Sequence, residues 1–145
     1  MYVSQVIMAP LPNIEIVSLL MILTTRKFGY KVFISVYVFV GCEIFTYGLE
    51  MWAINYLYVW DVLILAVLII RKVDNVIVYT LLSSIFGLTF DIFCSIPYFL
   101  TGGIAGGVAY IIKGVNFSFL HCYGNFITTI LLYTPLTKVM NKVIK

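Results

Sequence analysis

Charge is what this sequence has least of. Only 10% of its 145 residues are Asp, Glu, Lys or Arg, against about 25% in an ordinary soluble domain. Apolar residues make up 63% and aromatics 17%. A water-soluble globule is excluded, because the polar surface needed to cover such a core is missing. Cysteine is sparse too. Cys42, Cys94 and Cys122 are an odd number without close spacing, so neither a disulfide framework nor a zinc knuckle is indicated. With one histidine and no Ser or Cys motif beside it, no catalytic constellation emerges, and the chain is expected not to be an enzyme. No G-x-x-x-x-G-K-[ST] phosphate loop is present. The nine bases sit in short clusters between apolar runs, which argues against nucleic acid as a partner. Met1 to Pro10 lacks the positive flank and cleavage site of a secretory signal.

What is present is long apolar stretches with few interruptions. They predict an all-α, polytopic bundle in the lipid bilayer, with residues 1–145 forming one integral membrane domain of about five to six transmembrane helices. Breaks fall at Arg26-Lys27 to Lys31, Gly48 to Asn55, Arg71 to Asn75 and Gly102 to Gly107. Between them the pattern predicts helices over roughly 31–47, 56–70, 75–96 and 117–138. Asn13 is an expected N-cap, with Glu15 facing the positive end of a helix that runs to Thr25. Residues 1–9 would cover only about 14 Å as helix. They are either half of a proline-broken span through residue 25 or the tail of a first helix whose beginning is missing.

Lysine and arginine concentrate on cytoplasmic loops. Arg26, Lys27, Lys31, Arg71, Lys72, Lys138, Lys142 and Lys145 then fall on one side, and the C-terminus is expected in the cytoplasm of a multi-pass cell-membrane protein. Two crossings separate Asn75 from Lys138, which makes residues 98–113 an outer or re-entrant segment. The glycines there, with Ala105 and Ala109, have small-xxx-small spacing suited to close backbone packing.

Five of the six acids fall toward the opposite side. A carboxylate in hydrocarbon costs at least about 2.5–3.5 kcal/mol, so such groups face partners or wet cavities. The expected pocket is lined by Glu43, Asp61, Asp91, His121 and Asn125, with Tyr47, Trp52, Tyr56, Trp60 and Tyr98 as aromatic walls. Glu43 and Asp91 would favour a substrate with amine or other donors, and the aromatics a flat heterocycle. Several have a plainer reading: tryptophan and tyrosine also form interfacial belts, Asp61 can cap its helix, His121 can be an interhelical donor, and Asn125 can join helices; Glu43 and Asp91 are harder to explain that way.

The segment Gly114-Val115-Asn116-Phe117-Ser118-Phe119-Leu120-His121-Cys122-Tyr123-Gly124-Asn125-Phe126, followed by Pro135-Leu136, resembles the last-helix pattern G-x-P-F-D-x-x-H-x-x-G-N-F of the S components of energy-coupling-factor (ECF) transporters. Asn116 replaces the proline and Ser118 the aspartate. Pro12-Asn13-Ile14-Glu15 and Phe28-Gly29-Tyr30-Lys31 are similar to the family's first outer and first inner loops. The resemblance implies a six-helix fold with an apparently truncated first helix. It also implies capture of a vitamin or related micronutrient, with a transmembrane coupling subunit and two ATPase subunits as partners. The chain itself would carry no cofactor, ATP being used by those ATPases. A noncatalytic scaffold subunit of the rod-shape and cell-wall machinery is the alternative, since its size, helix number and basic inner loops are similar.

Overall fold

A computed structural model describes residues 1–8 and 15–143. Among these residues all regular structure is helical: α1 (Tyr2–Met8), α2 (Val17–Phe28), a single 3₁₀ turn (Gly29–Lys31), α3 (Val32–Tyr47), α4 (Met51–Ile69), α5 (Val76–Cys94) and α6 (Ile96–Val143). Four stretches are long and apolar enough to cross a membrane: Val17–Tyr47, Met51–Ile69, Val76–Cys94 and Ile96–Val143. The first and last of these double back on themselves.

The first reversal is at Gly29. Its φ of 60° is costly for a residue with a Cβ, and it turns the chain from α2 into α3. α2 has 12 residues, about 18 Å of helix, which is short for a span. It is nonetheless the centre of the bundle, packed against α3, α4, α5 and α6. Val17, Met21 and Ile22 have no exposed surface. They meet Val36 and Val40 of α3 and Val59, Leu63, Ile64 and Val67 of α4 in one apolar core. The perimeter is equally apolar. Phe45, Leu65, Ile69, Ile85, Leu100 and Leu131 are all more than half exposed, which suits contact with lipid and is unsuited to water.

The second reversal corrects the expected end of the chain. The last helix does not begin near residue 117. α6 includes a short arm before Gly103 (φ 63°, ψ −162°) and continues unbroken after it to Val143. The two arms lie antiparallel, since Tyr98 stacks on Tyr110 with centroids 4.2 Å apart and Gly107 lies against the Phe99 ring. Residues 98–113 are therefore a helical hairpin tip, not a crossing of their own. The 40 residues after Gly103 extend about 60 Å, twice the hydrocarbon thickness.

Other boundaries shift less. α4 begins at Met51, five residues earlier than expected, because Gly48–Glu50 suffices for the turn from α3. Asn13 lies outside the described residues. At the start of α2 the Glu15 carboxylate accepts from Ser18 N at 3.0 and 3.2 Å and from Ser18 Oγ at 2.5 Å. α5 is capped by Asn75, whose side chain accepts from Ile77 N at 2.8 Å.

The basic clusters meet at one end of the bundle. Arg71 Nε donates to Arg26 O at 2.9 Å, and its Nη2 to Lys27 O at 3.2 Å. These bonds satisfy the carbonyls left over at the C-terminus of α2 and place positive charge at its negative dipole end. Lys27 donates to Asn141 at 3.2 Å. Arg26 pairs with Asp74 at 3.1 Å, donates to the Tyr133 hydroxyl, and lies over the Tyr79 ring at 4.8 Å.

Candidate functional site

Opposite the basic end, α1, α3, α4, α5 and α6, with Glu15 just ahead of α2, line a cavity of about 820 Å³. Its aromatic wall follows from helical spacing. Trp52, Tyr56 and Trp60 are four apart and so share one face of α4, with successive ring centroids 5.3 and 5.5 Å apart. The wall continues from Trp60 to Phe90 on α5 at 5.7 Å, and from Phe90 to the His121 ring on α6 at 5.0 Å.

Polar groups project between the rings. Glu43 comes from the last third of α3 and is only 3% exposed, although it lines the cavity. Its Oε1 has no hydrogen-bond partner among the described residues, and neither has Trp60 Nε1. The two lie on adjacent helices, linked by Phe39, one turn from Glu43 and edge-on to Trp60 at 6.1 Å. Asp91 accepts from Ser118 Oγ at 2.7 Å. Gly114 makes room for that carboxylate, since a Cβ there would sit 2.6 Å from Asp91 Oδ2. His121 Nε2 is 3.3 Å from Glu15 Oε1. Glu50, Lys113 and Tyr47 stand nearer the mouth, all exposed.

Of the residues expected from sequence, Glu43, Asp91, His121, Trp60 and Tyr47, together with Trp52 and Tyr56, line this one cavity. Three expected members do not. Asp61 follows Trp60 and is therefore turned about 100° from it; it accepts instead from Tyr37 at 2.8 Å, between α3 and α4. Asn125 lies a turn deeper than His121, and its amide donates to Ser83 O at 3.1 Å and Ser18 Oγ at 3.3 Å. It joins α2, α5 and α6. Tyr98 is held against Tyr110 at the hairpin tip. The expectation omitted Glu15, Glu50, Lys113, Phe90, Tyr110 and Phe117, which also line the cavity. Glu15 and Glu50 belonged to the same set of outer acids, so their signal was charge sidedness. Lys113 had a signal as well, being the one base outside the basic clusters.

No family model, curated protein or solved structure matches the chain. The site therefore rests on its own geometry: a half-enclosed chamber with aromatic faces, four carboxylates, one lysine and one histidine. Such a chamber can hold a small planar molecule by stacking and by directed hydrogen bonds. Among the described residues there is no group of three His, Cys, Asp or Glu side chains placed to hold a metal ion. The three cysteines are unpaired thiols.

Proposed function

We propose that this chain is the substrate-capture subunit of an ECF-type transporter in the cell membrane, taking up a vitamin or related micronutrient. The observation that carries the proposal is where the last-helix motif falls: Gly114, Phe117 and His121 form one wall of the cavity, and Ser118 holds Asp91 toward it. Three of the residues on which the resemblance rests are thus residues of the chamber, while Asn125 of the same segment joins helices a turn deeper.

Sidedness supports the same reading. By the positive-inside rule the basic end, and with it the C-terminus, faces the cytoplasm. The cavity then opens outward, where scarce nutrients are captured. Release inward requires work from elsewhere, because the chain has no phosphate loop. A coupling subunit and two ATPases would supply it through ATP hydrolysis. A cell-wall scaffold has no need of a polar chamber inside an apolar bundle, where each carboxylate costs at least about 2.5–3.5 kcal/mol.

Affinity purification of the tagged chain from its native membrane tests the proposal. Recovery of an ATPase pair with a membrane coupling subunit is the expected result. Recovery of cell-wall synthesis proteins without ATPases would replace the proposal with the scaffold reading.

A further inference from the structure

We propose that the cavity takes a flat organic cation, an amino-substituted nitrogen heterocycle, which donates to Glu43 and accepts from Trp60. This inference rests on the capture reading above and adds to it the charge and hydrogen-bond pattern of the substrate.

Charge sets the first requirement. Glu15, Glu43, Glu50 and Asp91 line the chamber against a single Lys113. In surroundings of low dielectric that imbalance attracts a cation and opposes a second anion. The four acids are not equivalent, however. Glu15 is engaged by Ser18 and His121, Asp91 is engaged by Ser118, and Glu50 is exposed at the mouth. Glu43 differs from all three. It is 3% exposed, and Oε1 has no donor among the described residues. A buried acceptor left in this state costs about 1–3 kcal/mol, more when charged.

Trp60 supplies the complement. Its indole nitrogen can only donate, it is 3% exposed, and it too lacks a partner among the described residues. One unmatched acceptor and one unmatched donor on neighbouring helices, in a common cavity, call for a ligand with a donor beside an acceptor. An amino group next to an unprotonated ring nitrogen has this pattern, with the positive charge carried by a second, protonated nitrogen of the same ring system. The ring can lie against Tyr56 and Phe90, where a positive charge also gains from the π-faces. An anion would meet the carboxylates, and a plain hydrocarbon would leave both polar atoms unmatched.

The test is tryptophan-fluorescence titration of the purified full chain with two flat bicyclic probes of similar size and opposite charge, 2,4-diaminoquinazoline as its cation, protonated at N1 with N3 left to accept beside an amino donor, and quinoline-4-carboxylate. The cation is expected to bind at least about tenfold more tightly. Glu43→Gln should remove most of that preference while helix content by circular dichroism is retained. Trp60→Phe, which removes the indole donor while keeping an aromatic ring and leaves Trp52 to report, serves if Glu43→Gln does not fold, and should weaken the cation several-fold. Equal or tighter binding of the carboxylate, binding of neither probe, or cation affinity unchanged in the folded variants would overturn the inference. The capture reading fails separately. A chain that joins the ATPase pair yet prefers the carboxylate keeps its transport role and loses this ligand class.

Discussion

Gly87 on α5 lies directly against the backbone of His121 on α6: a Cβ at 87 would come within 2.9 Å of both the carbonyl carbon and oxygen of His121. Neither neighbour is a flexible side-chain end, so the helices themselves must part. Gly87→Ala is expected to destabilise the fold by about 1–3 kcal/mol, the usual cost of overpacking, and to move His121 away from Glu15. Thermal unfolding in detergent checks the first effect and probe titration the second. An unchanged melting temperature would mean that the two helices are not in this contact.

At the basic end, one guanidinium serves three helices. Arg26 joins α2 to Asp74, to the Tyr133 hydroxyl of α6 and to the Tyr79 ring of α5. These contacts differ in weight. The Asp74 side chain is 88% exposed, and exposed ion pairs contribute about 0–1 kcal/mol. The Tyr79 contact is sheltered, Tyr79 having no exposed surface, and cation–π contacts of this kind reach about 2 kcal/mol. Asp74→Asn should therefore shift stability by less than about 1 kcal/mol, and Arg26→Gln by clearly more. Chemical denaturation of the two variants side by side decides; equal losses would contradict the ordering.

Asn125 was expected in the pocket and is instead an interhelical link. Asn125→Ala should cost about 0.6–1.7 kcal/mol, the range for such bonds in membrane helices, and leave probe affinity within about threefold. Asp61→Asn should likewise leave binding unchanged, since Asp61 is bonded to Tyr37 away from the cavity. A tenfold loss of binding in either folded variant, on the scale of a deleted charged hydrogen bond, would return that residue to the site.

Asp61, Asn125 and Tyr98, the three expected residues that do not line the cavity, show what sequence can convey in an all-apolar bundle. Helix existence was legible from the rarity of charge, and the turns at Gly29 and Gly48 from the clusters and glycines beside them. Helix phase was not, because lipid-facing and core-facing residues are equally apolar and the amphipathic signal that fixes phase in water is lost. Trp60 and Asp61 are adjacent in sequence yet serve different surroundings, and only phase separates them. The α4 aromatics were recoverable because they repeat at four. The hairpin about Gly103 was half legible: its glycines marked close packing, while the unbroken run of α6 through residues 104–117 carried no distinguishing signal. The pairing of Glu15 with His121 joins residues 106 apart in sequence, which no local pattern encodes.

The central claim is that the acidic, aromatic chamber opens on the side of the membrane opposite the basic clusters, so that it takes its ligand from outside the cell. Single cysteines at Glu50, Lys72 and Lys142, in a chain otherwise free of cysteine, can be labelled in intact cells with a membrane-impermeant maleimide. The account predicts that position 50 reacts in intact cells, and that positions 72 and 142 react only after permeabilisation. Labelling of 72 or 142 from outside, or protection of 50 until the membrane is opened, would contradict it.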